Sequence, residues 1–298
     1  MFGILNLFKP SGPTSRDCVN QIQRLIRPIK VGHAGTLDPI ADGVLLVAIG
    51  QAVRLVDWLH LLPKSYRGTF EFGKTSPSAD RESEITKVPA ARIPNREELD
   101  AILPEFLGSI SQVPPIYSAI RVDGKRAYQT AREGRQVDMP ARQVMIHQLS
   151  IVDYQFPHLI LDIDCGTGTY VRSLGRDIAR RLGSDAIMTE LSRTSIGEMS
   201  SEHAVKLEQL DSLESIRSAL INPVECLSML DRVTLDESDI RTLHQGKNLA
   251  LPSQESLPRK SPSEYVMALD RVGTLRSILN QQDDGNWRPH RNFLEPTS

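Results

Sequence analysis

The chain has 298 residues, with 35 basic and 37 acidic side chains, 40% hydrophobic residues and 24% charged ones. That is one large folding unit, or a large and a small one, at ~150 residues per domain, with enough apolar content to bury a core. The longest apolar run, Val44 to Ile49, is strand-sized and far short of the ~20 residues of a membrane helix. Cys18, Cys165 and Cys226 lie far apart without a Cys-x-x-Cys pair. This argues against a disulfide framework or a structural zinc site and fits a reducing, cytoplasmic setting. The segment Met1 to Lys9 has neither a basic leader nor a small-residue cleavage site, so no secretory signal is expected. Secreted, membrane-spanning and disordered classes are set aside.

Gly3 to Phe8 reads as an apolar strand, stopped by the turn cluster Lys9-Pro10-Ser11-Gly12-Pro13. Thr14 or Ser15 is placed to cap a helix running to Arg27, with Val19, Ile22 and Ile26 on one face and Pro28 as its stop. Val31 to Asp42, punctuated by Gly32, Gly35 and Pro39, reads as a loop. Val44 to Gly50 reads as a buried strand, Ala52 to Leu62 as a helix, and Arg67 to Phe72 as an alternating strand. After a polar stretch, residues 74–95, Asn95 caps a helix over Arg96 to Phe106. Ile146 to Tyr154 and His158 to Cys165 read as paired strands joined near Pro157, with a helix from about Tyr170 to Leu182. Residues 252–263 read as a linker, followed by two short strands beginning at Tyr265 and Leu275. Strands and helices interleave without a steady βα alternation, so the class is α+β.

Charge is unevenly distributed. Residues 1–54 carry six basic and three acidic side chains, residues 121–142 six and three, and residues 204–257 five and nine. Two basic stretches on a nearly neutral chain are compatible with a nucleic-acid partner, and equally with solvated faces.

Three stretches can carry chemistry. In His33-Ala-Gly-Thr-Leu-Asp38-Pro-Ile-Ala-Asp42-Gly43, a carboxylate sits between glycine-bearing turns just before a buried strand. That placement can hold an acid at a cleft mouth on a rigid base; Asp is also a common turn former. Cys165-Gly-Thr-Gly-Thr-Tyr-Val-Arg172 lacks the third glycine of a dinucleotide fingerprint and the Gly-Lys-Ser/Thr of a P-loop. Arg172 is better read as a partner for a carboxylate or phosphate. Gln112 to Gly134 mixes prolines, tyrosines and cations in a manner suited to stacking on bases and following phosphates. Seven histidines are scattered without ligand spacing, so no metal is expected.

In this order the motifs are specific. Lys9-Pro10-x-Gly12-x-Thr14-Ser15, then Gly32-His33-Ala34-Gly35-Thr36-Leu37-Asp38-Pro39, Lys64-x-Tyr66 and Gln112-x-Pro114-Pro115-x-Tyr117 open the series. Gly124-x-Arg126-Ala127-Tyr128 with Ala131-Arg132-Glu133-Gly134, Gly168-Thr169-Tyr170-Val171-Arg172 and Leu191-x-Arg193-Thr194 complete it. The series resembles the TruB family of tRNA pseudouridine-55 synthases over residues 3 to about 228, and more weakly beyond. Asp42, Ser83 and Arg121 depart from the family pattern.

The resemblance implies a largely antiparallel, mixed pseudouridine-synthase sheet over residues 1–228, with an RNA-binding insertion near 112–145. It also implies a small PUA-like RNA-binding β domain over 229–298. The implied substrate is the T-arm of tRNA, the implied state a monomer, and no cofactor or metal is needed because the isomerisation neither gains nor loses atoms. Asp38 then matches the catalytic acid, Arg172 its ion-pair partner and Tyr66 the tyrosine that stacks on the target base. His33 matches the residue that fills the space of a flipped-out base. Lys9, Arg126, Tyr128, Arg132, Tyr170 and Leu191 fall among the implied RNA contacts. Two rivals remain: an RNA-binding module whose chemistry is secondary, and a nucleosidase that uses Asp38 and lets water finish the reaction. The second needs another carboxylate flanking the bond.

Overall fold

In the computed structural model, residues 1–89, 91–117, 139–251 and 264–293 are described, with the backbone alone at 121–122 and 125–126. The first strands are β1 (Phe2–Lys9), β2 (Val31–Ala34), β3 (Asp42–Gly50), β4 (Lys64–Phe72), β5 (Lys74–Thr75) and β6 (Thr86–Lys87). They are followed by β7 (Gly108–Gln112), β8 (Arg121–Val122), β9 (Lys125–Arg126), β10 (Arg142–Gln155), β11 (His158–Cys165) and β12 (Ala186–Ile196). The last are β13 (Met199–Ser200), β14 (Val205–Lys206), β15 (Asp231–Thr234), β16 (Tyr265–Leu269), β17 (Leu275–Gln281) and β18 (Trp287–Asn292). The helices are α1 (Ser15–Leu25), α2 (Val56–Leu61), α3 (Arg96–Ile102), α4 (Val171–Arg181), α5 (Leu213–Ser218), α6 (Pro223–Cys226) and α7 (Glu237–His244).

The α+β class holds. A ten-stranded sheet runs β14-β1-β3-β12-β4-β11-β10-β7, with β2 attached to β3 and β13 to β12. Most pairs are antiparallel; β1–β14 and β3–β12 are parallel. Period-two alternation explains how β1 and β3 serve two cores at once. Ile4, Val44, Leu46 and Ala48 face one cluster; Leu5, Leu7, Leu45, Val47 and Ile49 face another, where α1 packs with Cys18, Val19 and Ile22. Thr14 caps α1 in a reciprocal capping box with Asp17, as Asn95 does for α3 with Glu98.

Helix α4 covers β12 and β4, its Val171, Leu174, Ile178 and Ala179 sharing a core cluster with Phe70, Met188 and Leu191. Gly175 makes that approach possible, because a Cβ there would collide with the Phe70 ring. Gly175→Ala is expected to cost about 1–2 kcal/mol, an overpacking penalty partly offset by helix propensity. A urea midpoint equal to or above that of the parent chain would show that Phe70 moves aside freely.

A second sheet, β15-β16-β17-β18, has its own core around Leu235, Leu243, Val266, Leu279 and Trp287. Its other face joins the first sheet: Met267, Leu269, Leu275, Ile278 and Phe293 share a cluster with Ile4, Trp58 and Leu59. Phe293 stacks on Phe2 at 5.3 Å between ring centroids, and Trp58 meets Tyr265 and His290 edge-on at 5.7 and 5.5 Å.

Several sequence expectations need correction. Val31–Ala34, read as loop, is a strand hydrogen-bonded along β3, with His33 opposite Val47. The helix expected over Ala52 to Leu62 is a 3₁₀ turn over Gln51–Leu55 followed by α2, and the α-helix from Arg96 gives way to 3₁₀ at Leu103. The helix expected to reach Arg27 ends at Leu25. β12, which was not anticipated, lies at the middle of the large sheet between β3 and β4. Its alternation is broken by register shifts at Met188/Glu190 and Arg193/Ser195, which hide a strand from a periodicity reading. The linker expected over residues 252–263 lies outside the described residues.

Candidate active site

The loop between β2 and β3 is pinned from several sides. Ser15 Oγ, at the start of α1, accepts from Leu37 N at 2.9 Å and donates to Leu37 O at 3.1 Å. Ala41 N donates to Asp38 O at 3.1 Å, and Gly12 N to Pro39 O at 2.8 Å. Gly35 takes φ +83°, open to glycine without strain, and its carbonyl accepts from Arg193 Nη2 at 3.0 Å. Asp38 therefore projects from a backbone with little freedom, its side chain 36% exposed.

Arg172, in the first turn of α4, is 4% exposed and reaches two carboxylates. Nη2 lies 3.1 Å from Asp38, and Nη1 lies 2.9 Å from Asp80, which is wholly buried. Arg172 also donates to the carbonyls of Ser78 (3.1 Å) and Tyr117 (3.3 Å). Asp80 in turn accepts from Ser78 Oγ at 2.5 Å and from Glu82 N at 2.9 Å. Between them Ala79 holds φ +58°, a strained value for a residue with a Cβ. Asp80 fixes Arg172, and Arg172 aims Asp38. Burial pushes the Asp38 carboxyl above its ordinary value; Arg172 opposes this, while the nearby Asp80 charge reinforces it.

Tyr66 stands on β4, directly opposite Arg193 of β12 and Ile163 of β11. Burial raises its phenol, and the positive charge of Arg193 pulls the other way. Arg193 is 1% exposed and donates Nε to Val44 O at 2.7 Å, so one guanidinium joins β3, β12 and the Asp38 loop beside Tyr66. Lys64, two residues before Tyr66, donates to Leu62 O at 2.6 Å and to His60 O, and burial brings its ammonium down to about 8. On the opposite wall, the Arg142 guanidinium lies 4.7 Å from the centre of the Tyr170 ring and donates to Gly168 O. Gln112 clamps the Tyr170 backbone through bonds of 2.7 and 3.0 Å.

These groups enclose one cleft of about 520 Å³, a volume suited to a single nucleotide-sized ligand. Asp38, Tyr66, Tyr170, Arg172 and Leu191 all line it, although they come from four separate sequence motifs. His33 stands beside it on β2. Burial, with His60, Arg193 and Arg16 nearby, holds its imidazole below the ordinary value, and its Nδ1 is buried without a partner among the described residues. Lys9 is a correction. It is wholly buried, donating to Ala41 O at 2.6 Å and Pro10 O at 2.8 Å, so it braces the Asp38 loop and has no surface to offer a phosphate. Tyr128 and Arg132 lie outside the described residues, as does the Arg126 side chain, so the insertion near 112–145 is only partly in view.

Asp80, Arg193, Lys64, Glu82, Arg142 and His60 were not anticipated as site residues. Arg193 and Lys64 fall within quoted motifs. Asp80 carried the sequence signal of an Asp-x-Glu pair.

The TruB family pseudouridylate synthase N-terminal domain matches residues 23–171. The tRNA pseudouridylate synthase B C-terminal domain matches residues 172–228. The chain belongs to the TruB family. It is thus a pseudouridine synthase, an isomerase. A curated relative from Synechocystis sp., named tRNA pseudouridine synthase B, is 41% identical over 96% of this chain and 97% of its own. Another of that name from Caulobacter vibrioides is 40% identical over 92% and 91%. Among solved structures, a Cbf5-Nop10-Gar1 complex matches with a TM-score of 0.76 and 23% identity, over 98% of this chain and 85% of that one, which speaks to the fold.

Proposed function

We propose that this TruB-family enzyme isomerises the uridine at position 55 in the T-loop of tRNA, acting as a monomer with Asp38 as its catalytic carboxylate. The observation that carries the reading is the Asp38 carboxylate, held on a braced loop against Arg172, in the same cleft as Tyr66. The reaction breaks N1–C1′, joins C5 to C1′ and moves one proton from C5 to N1. Ionised Asp38 either adds to C1′ as uracil leaves or takes the 2′ proton to give a glycal; both roles need an anion that Arg172 keeps aimed. Tyr66 stacks on the base and is the candidate for removing the C5 proton.

The target uridine is flipped out at a cost of a few kcal/mol, and His33 fills the space it leaves. Tyr170 and Leu191 line the pocket for the base, and Arg126, Tyr128 and Arg132 of the insertion contact the T-arm. Residues 1–228 form the catalytic domain, and residues 229–298 a PUA-like RNA-binding domain.

The test is tritium release from T-arm RNA labelled at uracil C5. Release with the strand intact supports isomerisation. Free uracil would mean a hydrolase, a reading that gains a second carboxylate in Glu82 on the cleft wall. Neither product would mean a binding protein. The pH profile follows from the site. Because burial lifts Asp38 above 3.8 and only its ionised form acts, the single-turnover rate should fall on acidification with a midpoint above 3.8. An acid limb centred at or below 3.8 would separate the rate from Asp38.

A further inference from the structure

On the described α-helices other than α1, every arginine has a carboxylate within 4.0 Å. Arg96 pairs with Asp100, Arg176 with Asp177, Arg180 with Asp185, Arg181 with Glu105, Arg217 with Glu214 and Arg241 with Glu237. Arg172 has two such partners. Helix α1 is the exception. Among the described residues neither Arg16 nor Arg24 forms an ion pair, and neither do Arg27 and Lys30 just beyond it; all four are exposed. The acid on α1, Asp17, is engaged by Thr14 in the cap at 2.9 and 2.6 Å and feels Arg24 only at longer range.

The spacing makes this a surface. Arg16, Asn20 and Arg24 recur every four residues on one side, opposite the buried Cys18, Val19 and Ile22. From Arg16 to Arg24 the helix advances ~12 Å, and Arg27 and Lys30 follow in the turn that leads to β2. One end abuts the site: Ser15, next to Arg16, is the residue that clamps Leu37 beside Asp38, and Arg16 stands close enough to His33 to affect its charge. Four exposed cations on α1 and the turn after it, left without carboxylates among the described residues in a protein that pairs its other α-helical arginines, suit the repeating charge of a phosphodiester backbone.

We infer that the exposed side of α1, from Arg16 through Arg24 to Arg27 and Lys30, is a phosphate track that binds the RNA strand flanking the nucleotide in the Asp38 cleft. This rests on the RNA-modifying reading of that cleft. The track contributes affinity and leaves the chemical step alone, because none of its residues lines the cleft.

The test is filter binding of a T-arm stem-loop over a salt series, beside single-turnover tritium release at saturating enzyme. The variant Arg16→Ala/Arg24→Ala/Arg27→Ala should bind at least about tenfold more weakly, with a log K against log salt slope flatter by about two units. Its saturated rate and its melting temperature should match the parent chain. Arg24→Glu alone should weaken binding more than Arg24→Ala, a charge effect that a packing role would not give. Arg217→Ala/Arg241→Ala, on the acidic stretch, is the control and should change neither affinity nor slope. Unchanged affinity and slope in the triple variant, with the parent chain binding and releasing tritium, would overturn the track and leave the enzyme reading intact. A parent chain that binds the stem-loop without releasing tritium, while the triple variant loses affinity, would support the track and remove the enzyme reading.

Discussion

Asp38→Asn should abolish isomerisation while leaving RNA affinity within about a few-fold of the parent chain. Asn preserves the shape of the side chain and can still accept from Arg172, which lies 3.1 Å away. It cannot add to C1′ as an anion or take up a proton. What disappears is stabilisation present only in the transition state, where each ~1.36 kcal/mol is tenfold in rate. A loss of at least about 10³-fold in single-turnover tritium release is expected. Retention of more than a tenth of the parent rate would remove Asp38 from the chemistry. Arg172→Lys should fall between the two, because it keeps the charge but loses the planar fork that spans Asp38 and Asp80.

Asp80→Ala should be the most damaging change to the fold around the cleft. Asp80 and Arg172 are 0% and 4% exposed, so removing the carboxylate leaves a buried guanidinium with half of its countercharge, Asp38 being the carboxylate that stays. Breaking one side of such a pair costs about 3–5 kcal/mol, which for a domain of this size lowers the melting temperature by about 10 °C. The same change leaves Nη1 to the Ser78 carbonyl, so Arg172 aims Asp38 less firmly and the rate should fall even where the protein is folded. Asp80→Asn keeps an acceptor for Ser78 and Glu82 N and should be milder on both readouts. A thermal melt of Asp80→Ala that overlays the parent would mean water reaches Arg172.

Local signals made much of this legible in the sequence. The Thr14 and Asn95 caps, the apolar run of β3 and the β10–β11 pair are each written in neighbouring residues, and the fold keeps them. Asp38, Tyr66 and Arg172 could be named together only through a family resemblance, since nothing local says that these positions share a cleft. Asp80 was missed for the same reason: its partner on α4 is distant in sequence, and an acid in a polar loop looks solvated until the fold closes over it. Lys9 misled in the opposite direction. A lysine ending a strand beside a Pro-Gly turn reads as exposed, yet the Asp38 loop folds back over it. β12 was hidden because two bulges broke its alternation, and those bulges accompany the stretch that carries Leu191 and Arg193.

The stacking of Phe2 on Phe293 bears on how the protein is made. β1 leaves the ribosome long before β16 and β17, yet the cluster that receives Ile4 is finished by Met267, Leu269, Leu275, Ile278 and Phe293. At ~5–20 residues per second, β1 and the early apolar strands wait on the order of tens of seconds for the residues that cover them. Contacts of such long separation also close slowly once the chain is free. During that interval Trp58 and its neighbours are open to solvent and to other nascent chains. A translational pause just before β16 would therefore lengthen the exposure of β1 and its neighbours.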